Sequence, residues 1–116
     1  MLNRMVEYAE SLNLTFRALA DPTRRAMLEQ LQDGPQTIGE LAEPLAMSFA
    51  ATSKHIGVLE QAALIRREKR GRERVCHLQP GELAAAQAWL ERHAAFWSSA
   101  LDQLATALTE EDETNG

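Results

Sequence analysis

Residues 37–60 read Thr37-Ile38-Gly39-Glu40-Leu41-Ala42-Glu43-Pro44-Leu45-Ala46-Met47-Ser48-Phe49-Ala50-Ala51-Thr52-Ser53-Lys54-His55-Ile56-Gly57-Val58-Leu59-Glu60. Thr37 and Glu40 have the spacing at which a hydroxyl caps a helix and a carboxylate reaches back to the cap's own N–H. Ile38, Leu41 and Leu45 form the apolar stripe of a short helix. Pro44 is expected to end or bend it, because it has no N–H for an interior position. Ser48 is the next cap and opens a longer helix over about 49–63. At about 100° per residue, Phe49, Thr52, Ile56, Leu59 and Ala63 fall in one narrow arc and are expected to pack inward. Ala50, Lys54 and Gly57 lie opposite, with Ala51 and Val58 beside them and Ser53 and His55 on the flanks. A short helix, a tight turn and a longer helix make a helix-turn-helix.

On the N-terminal side, Tyr8, Leu12, Phe16 and Leu19 form one helical stripe over 7–19. Asp21-Pro22 then starts a second helix, a carboxylate cap followed by a residue preset for the first turn. Met27, Leu28 and Leu31 give that helix a buried face, and Gly34-Pro35 stops it. On the C-terminal side the period changes. Residues 64–78 divide about Arg70-Gly71 into two strand-length segments, a hairpin. Alternation puts Arg72, Arg74, Cys76 and Leu78 on one face of the return strand, and Glu73, Val75 and His77 on the other. Pro80-Gly81 ends the hairpin, and a long helix is expected over about 82–108. Its seam is Leu83, Leu90, Ala94, Trp97, Leu101, Leu104 and Leu108, alternating steps of four and three from Leu90 onward as a coiled coil does. Residues 109–116 are acidic, without an apolar side chain, and are expected to form a disordered tail. The fold class is therefore mainly α with a small β-hairpin. It is a winged helix-turn-helix, a single domain over 1–108 followed by the tail.

A chain of 116 residues fits one domain, and a separate sensing domain is not expected within it. Its 45% apolar and 25% charged residues are those of an ordinary globular domain. No apolar stretch approaches the roughly 18 residues of a membrane span, and Glu7 and Glu10 stand where a signal peptide would be apolar. A membrane partner is not expected. The single cysteine, Cys76, permits no internal disulfide and fits a reducing, cytoplasmic setting. The net charge of −5, taken whole, speaks against nucleic acid. Its distribution does not. Residues 51–79 carry seven basic and three acidic side chains, residues 1–50 four and seven, and residues 80–116 one and seven.

An ordinary surface helix carries Glu, Lys or Gln on its outer face. Small residues there suit a helix lying in the major groove of double-stranded DNA, where bulk would hold the backbone off the bases. Lys54 can reach a guanine edge or a phosphate, and Ser53, His55 and the helix start at Ser48 suit phosphate oxygens. Arg66, Arg67, Lys69, Arg70, Arg72 and Arg74 crowd the hairpin, where guanidinium groups are placed for phosphates or the minor groove. The expected DNA-contacting set is Ser48, Ala50, Ala51, Ser53, Lys54, His55, Gly57, Arg67, Lys69, Arg70, Arg72 and Arg74. Two other readings use the same residues. The small-residue face could pack on another helix of the chain, and the charged hairpin could be a solvated edge that resists strand addition.

Three segments, Asp21-Pro22-Thr23-Arg24-Arg25, Ile38-Gly39-Glu40-Leu41-Ala42 and Ser53-Lys54-His55-Ile56-Gly57-Val58-Leu59-Glu60, resemble the ArsR family of winged-helix repressors. The likeness spans about 15–108, through Leu64-Ile65 and the Arg-rich hairpin to Trp89 and Phe96-Trp97. The resemblance implies a homodimer joined by the first and last helices, binding a palindromic operator and repressing transcription. On this reading Tyr8, Leu12, Leu90, Ala94, Trp97, Leu101, Leu104 and Leu108 form the dimer interface. Ala63 departs from the family pattern, in which a glycine usually precedes the residues matching Leu64-Ile65. A turn that needs positive φ would strain an alanine there.

Many ArsR relatives sense metals, but the segment 37–45 holds no cysteine, and His93 beside Glu91 lacks the family's paired spacing. Cys76 and His77, neighbours on a strand, point to opposite faces. No metal and no cofactor is expected, and Cys76 reads as a small buried hydrophobe. With no Gly-rich phosphate loop and no nucleophile–base spacing among one cysteine and three histidines, the chain is not expected to be an enzyme. Trp89, Phe96 and Trp97 read as dimer core in preference to a ligand pocket. Two alternatives stay open: a winged-helix module that sets its basic hairpin against an acidic protein, and a repressor responding to thiol chemistry or metal through Cys76. No residue pattern names an effector.

Overall fold

The computed structural model describes residues 2–115, with side chains over 4–110. Residues 1–86 form one compact unit and residues 87–116 a second. In the first unit, helix α1 spans Leu2–Leu19, starting earlier than the apolar stripe required. Helix α2, Pro22–Leu31, opens as its sequence dictates. The Asp21 carboxylate accepts from the amides of Thr23 at 2.8 Å and Arg24 at 3.2 Å, while Pro22 occupies a position needing no N–H.

Strand β1, Gln36–Thr37, leads directly into α3, Ile38–Ala42. The capping box is closed on both sides. The Glu40 amide donates to Thr37 Oγ1 and the Thr37 amide to Glu40 Oε1, each at 3.1 Å. Pro44 ends the helix: the chain tightens into a 3₁₀ turn, Glu43–Leu45, and Ala46 turns left-handed with φ 51°. Helix α4, Phe49–Gln61, is capped by Ser48, whose Oγ accepts from the Ala51 amide at 3.1 Å. It ends in a turn where Ala63 has φ 59°, the left-handed conformation that a glycine adopts at less cost.

Strands β2, Ile65–Arg70, and β3, Glu73–Leu78, form the hairpin, with Gly71 supplying φ 61° at the turn. Among the described residues the sheet has order β1-β3-β2, all antiparallel, with Gln36 opposite Cys76 and Thr37 opposite Val75. β1 was not legible beforehand, since a segment of two residues shows no period. Its pairing depends on where the hairpin folds. The core joins Met27, Leu28 and Leu31 of α2, Ile38 and Leu41 of α3, Ile56 and Leu59 of α4, Ile65 of β2 and Cys76 of β3.

Two inward expectations for α4 are corrected. Phe49, the first residue of α4, is 63% exposed and lines a cleft beside the hairpin, whereas burial on this arc begins one turn later at Thr52. Ala63 is exposed as well. The left-handed turn carries it off the helical arc, and Ala62 is buried in its place.

Helix α5, Gly81–Asn115, begins with Leu83 packed on the core and continues past the expected end at Leu108. Residues 109–115 contain no glycine or proline to stop a helix, and they are rich in Glu, a good helix former. The expected tail's last residue, Gly116, lies outside the described residues. In the second unit Leu90, Phe96, Trp97, Leu101, Leu104 and Leu108 are exposed. The Trp89 and His93 rings stack there with centroids 4.0 Å apart. Among the described residues no helix is long and apolar enough to cross a membrane.

Candidate nucleic-acid interface

The outward face of α4 carries little bulk. Ala50 and Lys54 are exposed, and Ala51, Ser53, His55 and Gly57 are half-buried, whereas Val58 packs on the core. Gly57 is informative because nothing within the chain requires a glycine there. A Cβ added to it meets nothing within 4 Å, and its backbone is not left-handed. A mid-helix glycine costs about 0.5–1 kcal/mol relative to alanine. The open space it leaves faces outward.

Two ion networks fix the orientation of this face. Arg24 donates through Nε to the Ala18 carbonyl at 2.8 Å and through Nη2 to the Arg17 carbonyl at 3.0 Å, closing the end of α1. Its Nη1 meets His55 Nδ1 at 3.3 Å. A guanidinium only donates, so Nδ1 is the acceptor of this contact when the ring is neutral. Desolvation alone would raise the Asp21 carboxyl, but the Arg24 and Thr23 amides and the Arg24 guanidinium hold it below its ordinary value. One arginine thus joins the end of α1, the cap of α2 and the flank of α4.

The second network ties the hairpin to the other end of α4. Arg67 forks onto Glu60, Nη2 to Oε1 at 2.8 Å and Nε to Oε2 at 3.0 Å. The hydrogen bonds from Arg67 hold the Glu60 carboxyl below its ordinary value, and Glu60 raises the guanidinium in return. Arg67, expected to contact DNA, is therefore occupied as a brace between β2 and α4. Spacing alone could not show this, because Glu60 becomes its partner only once the hairpin has folded back.

On the other face of the hairpin Glu68 gathers Arg70 at 3.4 Å and Arg66 at 3.8 Å, and His77 Nε2 lies 2.9 Å away, near but off the line of a hydrogen bond. The hydrogen bond from Arg70 keeps the Glu68 carboxyl below its ordinary value. These pairs are exposed and hold Arg70 only weakly. Among the described residues Lys69, Arg72 and Arg74 make no ion pair, and all are exposed. Between the hairpin tip and the starts of α3 and α4 lies a cleft of about 250 Å³, lined by Thr37, Ile38, Gly39, Phe49, Arg72, Glu73 and Arg74. Phe49 and Arg24 are the residues that sequence reasoning left out of the site. No signal in the spacing set Phe49 apart, since it falls on the same arc as Ile56 and Leu59.

Ser48, the remaining expected DNA contact, is exposed, with its oxygen engaged by the Ala51 amide. Of the expected dimer residues, Tyr8, Leu90, Ala94, Trp97, Leu101, Leu104 and Leu108 are exposed, whereas Leu12 is buried within the chain. Cys76 is fully buried. Desolvation pushes its thiol above the ordinary value, against a smaller pull from Arg67, which leaves it in the unreactive neutral form. Among the described residues no three His, Cys, Asp or Glu side chains are grouped as a metal would need.

Comparison with known proteins finds a helix-turn-helix domain family matching residues 19–68. The chain is similar to the HTH-type transcriptional regulator Rv2034 of Mycobacterium tuberculosis, with 42% identity over 98 residues, 84% of this chain and 89% of that protein. It is 38% identical over 60 residues to the transcriptional repressor SdpR of Bacillus subtilis, covering 52% of this chain and 67% of that protein. Among solved structures it is similar to an ArsR family transcriptional regulator, RHA00566, with TM-score 0.73 and 45% identity over 78% of this chain and 94% of the other.

Proposed function

Since the chain belongs to the ArsR family of winged helix-turn-helix transcriptional regulators, we propose that it works as a homodimeric repressor in the cytoplasm, with its two α4 helices in successive major grooves of a palindromic operator. It is a DNA-binding regulator and not an enzyme. The observation that carries the finer reading is the outward face of α4, stripped of bulk at Ala50, Ala51 and Gly57 and left with Lys54 exposed.

The small side chains let the helix backbone approach base edges, and Lys54 reaches a guanine or a phosphate. Ser48, Ser53 and the Nε2–H of His55 serve phosphate oxygens, positioning the helix without reading sequence. Lys69, Arg70, Arg72 and Arg74 bind the flanking backbone or minor groove. Arg67 and Arg24 act one step back, holding the hairpin and α4 at a set angle. In the second unit the exposed Leu90, Trp97, Leu101, Leu104 and Leu108 supply the apolar face by which two copies join. Half-sites about 34 Å apart, one helical turn, match such a dimer.

The buried neutral thiol of Cys76 disfavours the thiol-responsive alternative. The acidic-partner alternative is separated from DNA binding by one assay. Fluorescence anisotropy on the duplex bound in a genomic footprint should show affinity falling steeply with salt, with Lys54→Ala and Arg72→Ala each weakening it further. A salt-insensitive complex, or one unchanged by both substitutions, contradicts the proposal.

A further inference from the structure

We infer that Phe49 is a specificity-determining residue that reads the C5-methyl group of a thymine in the major groove. The inference rests on the DNA-binding reading above and adds a base contact to it. Phe49 holds the first position of α4, directly after the Ser48 cap, and is 63% exposed. A single exposed phenylalanine is ordinary. Its placement is not. The N-terminal residues of a recognition helix are those that contact base edges, and its neighbours Ala50, Ala51 and Ser53 are too short to reach far beyond the backbone.

The cleft beside the ring adds a second observation. Phe49 and Ile38 give it an apolar wall, and Arg72 and Arg74 give it two cations against the one carboxylate of Glu73. One DNA strand has that chemistry, with phosphates for the guanidinium groups and an apolar base edge for the ring. Thymine is the base that presents a methyl group in the major groove. Adenine and cytosine present an amino donor there, which a phenyl ring would desolvate without replacing its hydrogen bond. The ring therefore favours thymine by attraction and disfavours those bases by an unpaired polar group.

The test uses the full chain and a duplex that it enriches from a random-sequence pool. Each thymine is replaced in turn by deoxyuridine, which removes the methyl and nothing else. One symmetry-related thymine position should lose affinity about four-fold per methyl, the worth of one buried methyl group. Phe49→Ala, an exposed site that leaves the core intact, should bind more weakly and treat thymine and deoxyuridine alike at that position. Wild-type affinity indifferent to deoxyuridine everywhere overturns the inference. So does a Phe49→Ala protein that keeps the same deoxyuridine penalty. In both cases the DNA-binding reading stands. A wild-type chain that enriches no duplex overturns that reading, and the inference with it.

Discussion

Gly57 is the residue where stability and binding are expected to part. Its missing side chain serves no contact inside the protein, and its backbone is ordinary helix. Gly57→Ala should therefore stabilise the fold by about 0.5–1 kcal/mol in a denaturant titration. The added methyl projects from the outward face, so the same variant should bind operator DNA less tightly. A variant that is more stable and binds equally well would show that Gly57 does not lie against the duplex. Ala63 presents the opposite case. The resemblance implies a glycine there, the alanine adopts φ 59° all the same, and the turn closes without a change of fold. That strain was legible through the resemblance, whose pattern has a glycine before Leu64-Ile65, and not from the alanine itself. The position of Phe49 was not, because an angular arc says which way a side chain points and not whether a neighbour covers it.

Elements were legible where their signals are local. The Asp21-Pro22 start, the Thr37–Glu40 box, the Ser48 cap and the Gly71 turn each depend on residues at most three apart, and each stands where its sequence put it. β1 and the Arg67–Glu60 brace depend on segments that meet only after folding, and neither showed in the spacing. The brace has a pH signature. Arg67 depresses the Glu60 carboxyl, so the pair's contribution is complete above the ordinary value of 4.5 and is lost as pH falls through the lower folded value. Both side chains are partly exposed, which keeps the contribution at about 1 kcal/mol or less. Glu60→Gln should lower stability slightly at neutral pH and reduce its loss between pH 4.5 and the acid limit. An identical acid profile in both proteins would mean that the brace carries no stability.

For the whole molecule, the net charge of −5 hides the surface that matters. The basic surplus is confined to residues 51–79, which include most of α4 and the entire hairpin, and the acidic surplus of residues 80–116 lies mostly in the second unit. A negative total weakens indiscriminate adhesion to DNA and leaves binding to the shaped, basic face. The second unit is one helix with large apolar side chains in water, which a second copy would cover. Dimerisation and DNA reading then stand or fall together. The direct measurement is a hydroxyl-radical footprint on the enriched duplex, made with the wild-type chain and with Trp97→Glu at the same protein concentration. The wild type should protect two symmetric half-sites about 34 Å apart, and Trp97→Glu should lose that protection as it becomes monomeric. A single asymmetric footprint from the wild type, or the same paired footprint from a monomeric Trp97→Glu, would contradict the account.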